Sequence, residues 1–321
     1  MTTVNIKLTA MKQKEQSCSF TLLELYDEEV KRLEKRIGKD RSVRTLSTLK
    51  QGRRHLAAYL ADQLKCKDVP ANELSPQLIE DYSVYLSAER GLMGGTVWLA
   101  CQHLKGVVTR SYQRGIISKN PFCGFHIRKN IRPREFLTEE ELAQLMTHSF
   151  SKENLSRARD IFLFSALTGL SFIDICELRP ENIVNIGGAA WILSRRHKTN
   201  IPYQVKLLKV PLRIISRYQR EENEKVFGRL EYRAVARHIQ QVMKEMGFNK
   251  HVTMHCARHS FAVLAISKGM PIESISRILG HTNITTTQIY AKITMQKLQE
   301  DMAAFEKSLS GMNKYDPERD E

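Results

Sequence analysis

Hydrophobic residues recur at helical spacing through the first part of the chain. One predicted helix has its inward positions at Phe20, Leu23, Val30, Leu33 and Ile37. A second, over residues 42–64, has its inward positions at Leu46, Leu49, Leu56, Leu60 and Leu64. Since three- and four-residue separations fall on one helix face, both segments are predicted to bury that face in a shared core.

Two further helices follow in the same region. Ser75-Pro76 is a typical start, because serine caps a helix and proline fits its first position. A break is predicted at Gly94-Gly95, before a fourth helix over residues 96–115. Residues 20–125 are therefore predicted to form a four-helix domain, preceded by a mobile arm over residues 1–19.

The second half of the chain changes periodicity once. Thr138-Glu-Glu-Glu141 is a capping box that starts a helix, after a basic, proline-containing linker over residues 126–135. Residues 183–210 are rich in β-branched side chains, with turn signals at Gly187-Gly188 and Thr199-Asn200. The predicted fold class is mainly α with a small antiparallel β-sheet. Its second domain spans residues 136–311, and a flexible tail covers residues 312–321.

The charge balance favours a nucleic-acid partner. The formal net charge is +15 and the pI is near 9.6, and a basic surface attracts polyanions. The candidate DNA contacts are Arg53, Arg54, Arg128, Lys129, Arg132 and Arg195. The alternative for each cluster is a solvated face. No apolar run approaches the ~20 residues that span a bilayer, and the start resembles no secretory signal. We therefore expect no membrane partner and a cytoplasmic location.

The cysteines give no sign of a disulfide framework or a metal site. They are scattered, without a Cys-x-x-Cys pair: Cys18, Cys66, Cys101, Cys123, Cys176 and Cys256. His255 and His259 have the spacing of zinc ligands on a helix, but position 256 is Cys where a zinc protease motif has Glu. Arg258 beside them would repel a cation. No metal and no cofactor are predicted.

A group of residues near the C-terminus carries candidate chemistry for a phosphodiester. His255 and Arg258 are three residues apart, so they share one face of a helix. Arg258 offers a planar fork of donors for two phosphate oxygens, and His255 exchanges a proton near neutral pH. Gly280 fits a helix C-cap and places His281 just beyond the helix end. Tyr290, nine residues later, is a candidate nucleophile.

Together these residues strongly resemble the tyrosine recombinases of the phage integrase family. The matching motifs are His255-x-x-Arg258-His259, Leu279-Gly280-His281 and Tyr290, in the order and spacing of the family. The resemblance covers nearly the whole chain, with a helical core-binding domain and a catalytic domain that form a two-domain DNA clamp. It implies a site-specific recombinase that cuts and rejoins DNA through a 3′-phosphotyrosyl intermediate, for integration, excision or inversion. It also implies a homotetramer on paired sites in double-stranded DNA.

The resemblance assigns roles to further residues, with one departure from the family pattern. The first arginine of the family is replaced by Ser171, with Asp174 three residues later. A subgroup of integrases from Bacteroidetes-type mobile elements also has serine there and carries a basic residue two positions before the sheet lysine. Here that lysine is Lys198, which the resemblance makes the general acid, and Arg196 becomes the candidate replacement arginine. Asp174 and His259 would be supporting residues.

Two other functions compete with recombination. A type IB-like topoisomerase shares the tyrosine chemistry but relaxes supercoils as a single subunit. A recombinase relative that had lost activity with its first arginine would only bind or bend DNA. The separate helical domain argues against the first, and intact Lys198, His255, Arg258, His281 and Tyr290 argue against the second.

Overall fold

Four helices of the N-terminal unit, residues 1–132, bury their apolar faces against one another. The computed structural model describes residues 20–126, 135–197, 199–219, 224–281, 283–288 and 295–308. The helices of this unit are α1 (Leu22–Glu34), α2 (Val43–Asp62), α3 (Pro76–Val84) and α4 (Gly94–Gln113). The predicted four-helix arrangement and the Ser75-Pro76 start of α3 are confirmed.

Two details of the predicted helices are wrong. Gly94-Gly95 does not break the chain but forms the first residues of α4. The cost of glycine in a helix is backbone entropy, which applies to a helix interior, whereas these two glycines lie in the first turn. Leu64, expected to face inward, is 43% exposed. Helix α2 ends at Asp62, so the helical period no longer fixes the direction of Leu64.

The second unit, residues 133–321, combines helices with a small sheet. Its helices are α5 (Glu139–Thr147), α6 (Glu153–Thr168), α7 (Phe172–Cys176), α8 (Lys209–Tyr218), α9 (Tyr232–Glu245), α10 (Met254–Ser267), α11 (Ile272–Leu279), α12 (Thr285–Gln288) and α13 (Met295–Ser308). The capping box at the start of α5 is confirmed, since Thr138 Oγ1 accepts from Glu141 N and Glu141 Oε2 accepts from Thr138 N.

The sheet lies where the β-branched segment predicted it. Its strands are β1 (Ile183–Ile186), β2 (Ala189–Arg195) and β3 (Pro202–Lys206), in the order β1-β2-β3 and all antiparallel. Gly187 and Gly188 make the first turn with φ of +58° and +76°, which glycine adopts without strain. In the second hairpin Arg195 pairs with Pro202, so the connection between β2 and β3 starts at Arg196.

Helix α6 lies at the centre of this unit and ends at a glycine. It contributes Ile161, Phe162 and Phe164 to the core. Gly169 caps it in the left-handed conformation, φ +70°, and a Cβ there would lie 2.8 Å from Phe261 on α10. The missing side chain therefore allows the end of α6 to approach α10 closely. No helix among the described residues is long and apolar enough to cross a membrane.

Candidate active site

Arg258 and His255 lie on the first turns of α10, on the face that lines an open cleft. Arg258 is 8% exposed and His255 is exposed. The guanidinium of Arg258 donates through Nη1 to Gly169 O at 2.7 Å and through Nη2 to Leu279 O. These carbonyls lie at the ends of α6 and α11, so two helix C-termini fix the direction of a buried cation.

Arg196 is also buried, although the adjacent Arg195 is exposed. It is 6% exposed, and its Nη1 donates to Asp174 Oδ2 at 2.6 Å. Its Nη2 donates to Ile278 O, the carbonyl next to the one that binds Arg258. The carbon of the guanidinium lies 4.1 Å from the centre of the Tyr203 ring. The structure thus brings both arginines to the C-terminal end of α11.

Asp174 provides the counter-charge for Arg196. Its Oδ2 accepts from Ser171 Oγ at 2.6 Å as well as from Arg196, and its Oδ1 accepts from the backbone N–H of His197 at 3.1 Å. Burial raises the pKa of this carboxyl, but the Ser171 hydrogen bond and the Arg196 charge outweigh burial, so the pKa is lowered overall. Asp174 is therefore an ionised carboxylate that orients Arg196.

His281 follows the Gly280 cap of α11, as predicted from Leu-Gly-His. Its Nδ1 is 2.8 Å from Thr287 Oγ1 on α12, and Thr287 is completely buried. Burial, followed by the charges of Arg258 and Arg196, lowers the pKa of His281 from 6.5 to about 4. At neutral pH His281 is thus an uncharged ring with one donor nitrogen and one acceptor nitrogen.

The two histidines of α10 contact each other through their rings. The rings of His255 and His259 are edge to face, with centroids 4.9 Å apart. His259 is 4% exposed. Within the described ranges, no three His, Cys, Asp or Glu side chains lie close enough together to hold a metal ion. The geometry makes His259 a support for the exposed His255 ring.

The cleft beside these residues has a volume of about 920 Å³. Ser171, His255 and Arg258 are among the residues that line it. Phe172 and Tyr232 line it too, and their rings lie edge to face at 5.3 Å. Buried guanidinium groups, a neutral imidazole and an exposed imidazole are the donors and acceptors that a phosphodiester requires. The arrangement can bind a phosphate and stabilise extra negative charge on it.

The remaining predicted residues fall into two groups. Arg54 and Arg195 are exposed, while Arg53 donates to both carboxylate oxygens of Asp27 at 2.9 and 2.8 Å. Arg53 therefore has a structural partner within its own domain. The predicted residues outside the described part of the chain are Arg128, Lys129, Arg132, Lys198 and Tyr290.

Sequence reasoning missed two residues of this site. Tyr203 lies on β3, where alternation places it and Val205 on the buried face, so strand period alone could have found its burial. Thr287 belongs to a run of three threonines, and nothing in that run distinguishes the one that contacts His281.

Comparison with known proteins bears on this arrangement. The profile of the phage integrase family matches residues 135–297, and that of the phage integrase SAM-like domain matches residues 21–129. The boundary between the two units, after Arg132, falls between these matches.

Similar curated proteins are tyrosine recombinases. One from Thermosipho africanus is 30% identical over 190 residues, covering 57% of this chain and 66% of that protein. Tyrosine recombinase XerC of Xylella fastidiosa, strain M23, is 27% identical over 226 residues, covering 67% of this chain and 76% of that protein.

Solved structures share the fold at low identity. The Tn1549 transposon integrase in complex with a circular intermediate DNA has a TM-score of 0.71 and 18% identity, covering 89% of this chain and 100% of that one. A lambda integrase dimer bound to a core site has a TM-score of 0.67 and 17% identity, covering 88% and 80%. Both likenesses concern the mainly α fold with its small antiparallel sheet.

Proposed function

This chain belongs to the phage integrase family and is a tyrosine recombinase, and we propose that it cuts and rejoins DNA through a covalent bond between Tyr290 and a 3′-phosphate. The observation that carries the proposal is the pair of buried arginines, Arg196 and Arg258, anchored on consecutive carbonyls at the end of α11. In the sequence, Tyr290 follows His281, the residue after the Gly280 cap of α11, by nine residues.

The proposed reaction is a transesterification at phosphorus. Tyr290 attacks the scissile phosphate, and its proton passes to His255. The bond to the 5′ oxygen breaks, and Lys198 protonates that oxygen. Rejoining reverses these steps with another 5′-hydroxyl, so no ATP is consumed because the phosphotyrosyl ester conserves the bond.

The non-bridging oxygens take the developing charge. Arg258 and Arg196 bind them in the pentavalent transition state, where preorganised donors contribute most. Neutral His281 adds an uncharged hydrogen bond, oriented by Thr287. Arg196 thus supplies the charge that the family's first arginine would supply at position 171.

Double-stranded DNA is the proposed substrate and partner. The +15 net charge supports this, as do the similar Tn1549 and lambda integrase structures, which are complexes with DNA. Residues 20–125 are the proposed core-binding domain, residues 136–311 the proposed catalytic domain, and residues 126–135 the proposed linker. The proposed backbone contacts are Arg53, Arg54, Arg128, Lys129, Arg132 and Arg195.

We propose a homotetramer on paired DNA sites, for integration, excision or inversion. Helix α13 supports such an assembly, because Met302 and Phe305 are each 57% exposed and lie three residues apart on one face. A cytoplasmic location stays a prediction. Neither a topoisomerase nor an inactive DNA-binding relative is favoured by the family match.

Covalent trapping tests the proposal. Inverted repeats or element ends in the DNA flanking the gene supply the site, and a duplex nicked beside it releases a short strand after cleavage. The wild-type protein should form an adduct that resists detergent, and Tyr290→Phe should form none while binding the duplex normally. Tyr112→Phe is the matched control, because Tyr112 is exposed on α4 and does not line the cleft, so this variant should form the adduct. An adduct from Tyr290→Phe, or none from wild type, would contradict the proposal.

A further inference from the structure

We infer that Tyr203 is a positioning residue, whose ring holds the guanidinium of Arg196 in the plane from which it binds the phosphate. This inference rests on the proposed function, which gives Arg196 the task of stabilising the transition state. Tyr203 itself would touch neither the DNA nor the reacting atoms.

The contact between the two side chains is close and buried. The guanidinium carbon of Arg196 is 4.1 Å from the Tyr203 ring centre, and the two residues are 6% and 3% exposed. A planar cation over an aromatic face is attracted by the negative face of the ring, most strongly where water is excluded. Stacking also fixes the plane of the guanidinium, which an ion pair alone leaves free to rotate.

Gly280 also packs against the Arg196 side chain, in addition to the Tyr203 ring. A Cβ on this residue would lie 2.8 Å from Arg196 Nε and 2.9 Å from its Cγ, and its φ is +58°. Real Cβ atoms essentially never lie this close to another atom. A side chain at position 280 would therefore collide with Arg196, and the backbone of Gly280 packs directly against the arginine. Arg196 is therefore confined by the Tyr203 ring and by the end of α11.

Arg196 keeps N–H donors beyond the two that bind Asp174 and Ile278, because a guanidinium has five. Nη1 donates to Asp174 and Nη2 to Ile278, whereas Nε is buried and has no hydrogen-bond partner among the described residues. Buried donors are rarely left unmatched unless something outside the folded chain completes them. A non-bridging phosphate oxygen is an acceptor of the kind that a guanidinium group binds.

Two other roles for Tyr203 make different predictions. As a nucleophile it would need an accessible hydroxyl, but the residue is buried, and burial raises the pKa of that hydroxyl. As an ordinary core ring it would stabilise the fold without acting through Arg196. Its replacement would then have the same effect whether or not Arg196 is present.

The test combines two substitutions with a double-mutant cycle. In single-turnover cleavage of the nicked duplex, Tyr203→Phe, which keeps the ring, should cleave at nearly the wild-type rate. Tyr203→Met, which lacks a ring, should be slower by about five- to thirty-fold. In an Arg196→Ala background, Tyr203→Met should cause almost no further loss. Two results would overturn the inference. One is an equal loss of cleavage rate from Tyr203→Met in the wild-type and Arg196→Ala backgrounds, and the other is an equal loss from Tyr203→Phe and Tyr203→Met.

A spectroscopic measurement keeps the inference testable if Tyr203→Met fails to fold. In protein labelled with ¹⁵N-arginine, the Arg196 Nε–H proton should carry a ring-current shift that is retained in Tyr203→Phe. Absence of that shift in the wild type would overturn the stacking. Failure of the proposed function is distinguishable, because the wild type would then form no covalent adduct at all. Normal cleavage by Arg196→Ala would refute only the role of Arg196, whereas failure of this inference alone leaves Arg196→Ala slow and Tyr203→Met fast.

Discussion

Arg196 and Arg258 donate to the carbonyl oxygens of two consecutive residues, Ile278 and Leu279, at the end of one helix. The last carbonyls of a helix have no intrahelical partner and carry partial negative charge. They offset some of the repulsion between two neighbouring cations before any phosphate binds. The short helix α11 therefore builds the anion site as well as presenting His281.

Arg196→Ala should slow cleavage by about a hundred- to a thousand-fold, since one charge-stabilising donor in comparable sites contributes about 2.7–4 kcal/mol. Binding of the duplex should be nearly unchanged. Single-turnover cleavage and a binding titration measure the two effects. The control is Arg195→Ala, because Arg195 is adjacent but exposed. Wild-type cleavage by Arg196→Ala would leave Arg195 or a partner protein as the source of the missing charge.

Restoring an arginine at position 171 should depend on Arg196. Ser171 Oγ and Arg196 Nη1 donate to the same oxygen of Asp174, each at 2.6 Å. Ser171→Arg alone should therefore impair cleavage, because two guanidinium groups compete for one carboxylate. Ser171→Arg combined with Arg196→Ala should cleave faster than either single variant. If the fold loss in cleavage rate of the double variant equals the product of the two single-variant losses, the two residues act independently and do not share one role.

Some of the site could be predicted from the sequence, whereas the contacts of Arg196 with Asp174 and Ile278 could not. The order His255, Arg258, His281 is readable because helix period and a glycine cap translate spacing into geometry. The burial of Arg196 is not readable, because it depends on Asp174 and Ile278, far away along the chain. For the fold, the periods predicted the four N-terminal helices and the region of the sheet. Gly94-Gly95 shows that the same glycine pair can mark a helix start or a helix break.

His281 should stay uncharged at every pH above about 4 in the DNA-free protein. Its pKa rises to about 6.5 on unfolding, so the unfolded state binds more protons between these two values. Folding stability should therefore fall as the pH drops from about 6.5 to about 4, and this contribution should be absent above 6.5. Denaturant unfolding across this range should show a shallower dependence for His281→Gln. An identical dependence for both proteins would contradict the lowered pKa.

Thr287 should matter for cleavage and little for binding. Its hydroxyl lies 2.8 Å from His281 Nδ1, and this hydrogen bond fixes the orientation of the ring. Thr287→Val keeps the shape but removes the hydroxyl, so we expect cleavage to slow by about ten-fold, the value of one neutral hydrogen bond. Thr287→Ser keeps the oxygen and should be nearly as active as wild type. Equal rates for the valine and serine variants would mean that the hydrogen bond does not orient His281.

DNA binding should weaken steeply with salt, and two neighbouring arginines should contribute differently. Neutralised phosphates release counterions, so log Kobs falls with log salt by about 0.9 per phosphate contact on B-DNA. Arg54 is exposed, and Arg54→Gln should reduce the magnitude of the slope by about one. Arg53 pairs with Asp27 through two hydrogen bonds, so Arg53→Gln should change the slope less and lower the melting temperature more.

Titration of a labelled duplex at several salt concentrations gives the slopes. A flat slope for wild type would contradict electrostatic binding, and equal slopes for the two variants would contradict the separate role of Arg53.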